Sequence, residues 1–226
     1  MVRDKDTREW GVRPFIQDRL TALSKSGAKS LAGLCMVLSL AACSRTLTWE
    51  EEVPLNTGET LVLKRAMEWR LQGGAGNPFN FGMRPDVDKQ VLEFRYRDKD
   101  YVYSGGAAVG WIAVSKEGLP VLVATPADWA WAVRNHYYCI VPFYVQFLPD
   151  ATGRSWTWVR PIEPWLYGLP YNVLANFPRL NEHAKQRYAV ADRVERDATY
   201  RREQPERTVI TPDYKSRSCI ADPASK

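Results

Sequence analysis

Histidine is almost missing from this chain: His136 and His183 are the only two in 226 residues. That removes the commonest general base and metal ligand from most of the surface. His136 stands three residues before Cys139, the nearest approach to a Cys-His nucleophile pair. The aromatic neighbours Tyr137 and Tyr138 favour a structural cysteine instead. No Gly-x-Ser-x-Gly or P-loop pattern occurs. The glycine-rich stretch Q-G-G-A-G-N-P at 72–78 is followed by Pro78, Gly82 and Pro85, where a phosphate-cradling loop needs a helix. Asp86-x-Asp88 is the nearest thing to a metal-ligand pair and reads as a turn. Carboxylate pairs of the glycosidase kind exist in any chain with this many acids and carry no weight. No catalytic residue, no metal and no cofactor is expected.

Long hydrophobic runs are also lacking. A membrane-spanning helix needs about 20 apolar residues. The longest run here, 31–42, has twelve, interrupted only by Gly33 and Ser39. That length suits the apolar region of an export signal. Arg19, Lys25 and Lys29 precede it, and it ends on Leu40-Ala41-Ala42-Cys43. These four residues resemble the bacterial lipobox, an aliphatic and two small residues before a cysteine. The resemblance implies a diacylglyceryl group on the Cys43 thiol, cleavage before Cys43 and acylation of the new amino terminus, by palmitate or a similar chain. Two other readings are a buried helix of a cytoplasmic domain and a signal cut after Ala42 without lipid. The polar stretch before the run is long for such a signal and holds Asp4, Asp6, Glu9 and Asp18; a later translation start would leave the lipobox intact. Ser44 in place of a retention Asp resembles the outer-membrane sorting pattern. The expected location is the outer membrane, facing the periplasm.

The leader explains the charge. The chain carries +5, but residues 1–42 hold 7 Lys/Arg and 4 Asp/Glu. The remainder has 24 basic and 22 acidic residues, a net +2 over 184 residues. A near-neutral domain excludes nucleic acid as a partner on electrostatic grounds, because phosphate contacts need a clustered basic face. Of four cysteines, Cys35 leaves with the leader and Cys43 takes the lipid. Cys139 and Cys219 remain, in an oxidising compartment. A Cys139–Cys219 disulfide that holds the tail to the core is expected; two free thiols are the alternative.

Four stretches resemble a set of uncharacterised proteobacterial lipoproteins: T-W-E-E-E-V-P-L at 48–55, Q-G-G-A-G-N-P at 72–78, P-F-Y-V-Q at 142–146 and E-P-W-L-Y-G-L-P at 163–170. The resemblance spans nearly all of the chain after Cys43. It implies exported lipoprotein status and transfers no catalytic residue.

Beyond Cys43, residues 43–58 read as a polar tether whose Glu50-Glu51-Glu52 cluster is solvated. Period-two alternation then marks strands at 60–69 and 91–96, the second turning into 101–103; residues 111–115, the continuous apolar run 119–124, the β-rich run 138–148 and residues 155–159 read as further strands. Within the first of these, Arg65 is the exception on the apolar face. A short helix is expected at 126–135. The proline-rich segment 161–178 is irregular. Residues 181–203 read as one long helix with a narrow stripe at Ala184, Tyr188, Ala191, Val194 and Ala198; Asp192–Arg196 and Asp197–Arg201 pair on its exposed face. The tail from 207 is polar and is expected to need the disulfide for order. The expected organisation is a signal at 1–42, a tether at 43–58, a β-rich domain at 59–178, a helical appendage at 179–204 and a tail at 205–226. The fold class is mainly β, an antiparallel sandwich or partly open barrel with a C-terminal helix.

Function is expected to be binding or structural association at the membrane, through the N-terminal lipid anchor, with other envelope proteins or peptidoglycan as partners. The alternative is a glycan-binding or glycan-cleaving module. Its candidate ligand platform is Trp129, Trp131, Trp156, Trp158 and Trp165, since aromatic faces stack on sugars. Core packing is the competing use of the same residues.

Overall fold

The alternating stretches form two antiparallel sheets. The computed structural model describes residues 44–74, 77–126, 141–159, 161–182, 185–205 and 208–215. The leader, Cys43, Cys139, Cys219, Trp129, Trp131, both histidines and the helix expected at 126–135 lie outside the described residues, apart from Pro126 at a strand end. The first sheet contains β1 (Ser44–Pro54), β2 (Thr60–Gly74), β3 (Asn77–Tyr96) and β4 (Lys99–Gly105) as a meander. The second contains β5 (Ala107–Val114), β6 (Pro120–Pro126), β7 (Val145–Pro149) and β8 (Trp156–Val159). A two-residue strand, β9 (Arg187–Tyr188), adds to β1 in parallel. The strand orders are β4-β3-β2-β1-β9 and β5-β6-β7-β8. The chain is mainly β, and its two sheets do not close into a barrel.

Turn chemistry sets the first hairpin. Asn56-Thr57-Gly58 links β1 to β2, with Gly58 at φ 86°, a left-handed backbone that only glycine adopts without strain. The Asn56 side chain then binds both backbone groups of Val114, donating to its carbonyl at 3.0 Å and accepting from its N–H at 2.8 Å. That joins the hairpin tip to the end of β5 in the other sheet.

Side chains two apart share a face, and this places the core. Val53, Leu61, Leu63, Leu92, Phe94, Tyr101 and Tyr103 of the first sheet share one buried cluster with Val109, Ile112, Val121, Val123, Val145 and Phe147 of the second. Burying each aliphatic side chain contributes about 1.5–3 kcal/mol. Tyr103 meets Phe147 edge-on at 5.2 Å between ring centres. Desolvation pushes the Tyr103 phenol well above its ordinary range.

The remaining chain, 161–215, forms a cap on the sandwich. Its seating depends on a bulge in β5. Gly110 is the extra residue between the Val109–Ala124 and Trp111–Val123 pairs. Its carbonyl accepts the N–H groups of Asn172 and Val173, both at 3.2 Å. A Cβ at Gly110 would stand 2.3 Å from the Tyr171 ring, so no larger residue fits while Tyr171 is seated. Asn172 completes the attachment: its carbonyl oxygen accepts from Ile112 N–H, and its amide donates to Ile112 and Pro54 carbonyls, at 2.8–2.9 Å.

Five expectations are corrected here. The stretch read as a tether is strand β1, paired with β2 from Ser44–Arg70 to Pro54–Thr60. Its acidic cluster is not a solvated face, because Glu51 is fully buried. Of the glycine-rich stretch at 72–78, residues 72–74 end β2 and residues 77–78 begin β3. The long helix is two short ones, α1 (Val190–Arg196) and α2 (Ala198–Glu203), preceded by turn and strand. The stripe is reversed as well: Val194 is 46% exposed, whereas Arg193 and Asp197 are buried at 3% and 1%. The described part of the tail, residues 208–215, makes contacts of its own, while the expected disulfide lies outside the described residues. Ile210 exchanges backbone bonds with Gly168 and Leu169 at 2.9 and 3.1 Å, Tyr214 accepts from Phe143 N–H at 2.9 Å, and the Tyr214 ring stacks on Tyr144 at 4.9 Å.

Candidate functional site

Two charges sit where the alternation calls for apolar residues. On β1, Leu47, Trp49, Glu51 and Val53 share a face, and on β2, Leu63, Arg65, Met67 and Trp69 do. Glu51 and Arg65 therefore lie on the inner face of adjacent strands. They separate the main core from a second cluster made by Trp49, Met67, Trp69, Leu174 and Tyr188. The Arg65 Nη1 donates to Glu51 Oε1 at 3.1 Å and to the Leu174 carbonyl at 2.9 Å. The other Glu51 oxygen accepts the Leu174 N–H at 2.6 Å. One ion pair thus satisfies both backbone groups of Leu174 and fixes the cap to the sheet. The Arg65 guanidinium lies 5.1 Å from the Trp49 ring centre, a cation–π contact. Burial pushes the Glu51 carboxyl up, against the opposing pull of Arg65 and the Leu174 N–H.

The short helices extend this polar layer. Asp197 accepts Asn176 N–H at 2.8 Å and Ala175 N–H at 3.2 Å. That use of its carboxylate draws Asp197 inward, away from the expected exposed pair with Arg201. Asp192 pairs with Lys185 at 2.5 Å and Arg196 with Glu182 at 2.5 Å, so the expected Asp192–Arg196 pair is replaced by longer-range partners. Arg193 donates to the Tyr171 carbonyl at 3.3 Å, while its Nε has no hydrogen-bond partner despite burial. The Nε of Arg201 is buried and unpartnered too. Desolvation lowers the Arg193 pKa, and the nearby positive charge of Arg201 lowers it further.

Arg193 and Arg201 line a cavity of about 260 Å³ between sandwich and cap. The sandwich contributes Pro54 to Asn56 and Trp111 to Ala113; the cap contributes Leu169 to Asn172 and the helices. Among the described residues the wall is largely apolar and aromatic, with the amides of Asn56 and Asn172, two guanidiniums and no carboxylate. Such a composition suits a small ligand with an apolar body and one anionic group.

The candidate tryptophans that the structure describes take part in packing. The Trp156 indole donates to the Val102 carbonyl at 2.7 Å, and its ring meets Phe94, Tyr101 and Tyr103 at 6.2–6.5 Å between centres. Trp158, on the same face of β8, and Trp165 are partly buried against that core. Trp165 also donates to Glu163 at 2.6 Å. Among the described residues no group of three or more His, Cys, Asp or Glu is placed to hold a metal, and no helix is long and apolar enough to cross a membrane.

No family model, curated protein or solved structure matches the chain.

Sequence reasoning passed over Glu51, Asn172, Arg193 and Arg201. For Glu51 a signal was present. It falls in period with Leu47, Trp49 and Val53, and Arg65 is the one charge on the apolar face of β2. Two misfits of opposite sign on neighbouring strands imply each other. Arg193 and Arg201 left no such mark, because their burial depends on where the helices break.

Proposed function

We propose that this chain is an exported, lipid-anchored cell-envelope protein whose β domain acts by binding or structural association. The observation that carries the reading is the apolar run at 31–42 ending on Leu40-Ala41-Ala42-Cys43. A diacylglyceryl group supplies two acyl chains, enough for stable anchoring where one chain gives only marginal attachment. With β1 starting at Ser44, an anchor on Cys43 adjoins the first sheet without an intervening tether and holds that end of the domain against the bilayer. The test is metabolic labelling with a fatty-acid probe, comparing wild type with Cys43→Ala. Label on the wild type alone is expected. Equal labelling of both, or of neither, overturns the reading.

A further inference from the structure

We propose that the cavity between sandwich and cap binds a small organic anion, with its carboxylate or phosphate group on Arg193 and Arg201 and its apolar body against Trp111, Ile112 and Leu169. The inference names a ligand class for the binding reading above, and it stands on the cavity rather than on the lipid anchor. Its first support is the state of Arg193. The side chain is 97% buried by its 3% exposure, it lines the cavity, and its Nε donor has no partner. Removal from water strips the guanidinium of hydration and strengthens its attraction for an anion brought into the cavity it lines. Charge supplies the second support. Arg65, Arg193 and Arg201 face two carboxylates in this layer, and both carboxylates are committed elsewhere: Glu51 to Arg65 and Leu174, and Asp197 to the Ala175 and Asn176 amides. One positive charge is left over, on the side of the layer where the cavity lies. The third support is chemical contrast. Apolar rings opposite paired guanidiniums form an amphipathic site, and guanidinium groups bind carboxylate and phosphate through directed, charge-assisted bonds. A volume of about 260 Å³ restricts the occupant to a small molecule.

The test uses the full chain in a nonionic detergent. Benzoate and phenyl phosphate are the anionic probes, and benzamide is the neutral match. The Trp111 indole N–H, held on the Leu169 carbonyl at 3.2 Å, is followed by NMR during titration. Saturable shifts with benzoate, with phenyl phosphate or with both are expected; which probe saturates names the anionic group. Arg201→Gln is expected to weaken binding about tenfold or more, as loss of a charged hydrogen bond does. Arg201 is only partly buried, so the variant should keep the fold, and an unchanged amide spectrum would verify that. The proposal is overturned if neither anion saturates, if benzamide binds as well as benzoate, or if Arg201→Gln binds like wild type. Because the labelling test acts on Cys43, failure of the anchor and failure of this site are separable.

Discussion

In the sandwich, β2 runs between β1 and β3 through backbone ladders, unbroken with β1 and shifted in register between Met67 and Trp69 with β3, and Leu61, Leu63, Leu92 and Phe94 fill the space behind them. Among the described residues of the cap, only Arg187 and Tyr188 join a sheet. Its path is instead fixed by side chains that bind backbone groups: Asn172 on Ile112 and Pro54, Glu51 and Arg65 on Leu174, and Asp197 on Ala175 and Asn176. A ladder is bought by any sequence with the right alternation. The cap needs particular residues at particular positions. It is therefore the part of the molecule where single substitutions should be most specific in their effects.

The largest expected effect is Glu51→Ala, which leaves Arg65 charged, buried and unpaired. It should cost about 3–5 kcal/mol in denaturant unfolding. Replacing both partners, Glu51→Leu with Arg65→Met, should recover only part of that loss: no buried charge is then left alone, but the Leu174 N–H and carbonyl lose their partners. Full retention of the loss in the double variant would show that packing, not charge, governs the site. On the sandwich side, Leu63→Ala should cost about 2–5 kcal/mol, and no second substitution is expected to rescue it as simply. Asn172→Ala comes next. It orphans the Ile112 N–H and two carbonyls, for about 1–3 kcal/mol. Calorimetry on all four variants orders them.

The smallest effect is pH-dependent. Burial raises the folded pKa of Glu51 above its unfolded value. The folded state then holds that proton more tightly, so this group favours folding below the unfolded pKa and loses that contribution as pH rises through the folded pKa. Glu51→Gln removes the titration. The variant should gain relative to wild type as pH rises above the ordinary carboxylate value of 4.5. A difference that is flat, or that slopes the other way, would show that Arg65 and the Leu174 N–H outweigh burial.

The contrast also explains what could be read in advance. Most of the strands follow from alternation, apolar runs and turn residues: the expected segments at 60–69 and 91–96 fall within β2 and β3, and 119–124 overlaps β6 from Pro120 on. The first strand was hidden by Glu50-Glu51-Glu52, a run that resembles a solvated face unless the partner of its middle member is known. Arg65 was visible as an exception, but only pairing of β1 with β2 turns two exceptions into one contact. The helix was misplaced for a different reason. Residues 181–203 have helical composition, yet Tyr188 is drawn into strand pairing with Glu51 and Asp197 turns its carboxylate to the Ala175 and Asn176 amides. Those are tertiary demands that override local propensity. The cavity inherits the same illegibility, since Arg193 and Arg201 reach it only through that break.

Native-state hydrogen exchange on Glu51→Gln tests most directly whether cap and sandwich are separately held. The account predicts that the Leu174, Ala175 and Asn176 amides exchange about tenfold faster or more, while the ladder amides of β2 and β6 keep wild-type protection. Equal loss of protection in both sets would contradict it, since the cap would then open only with the whole domain.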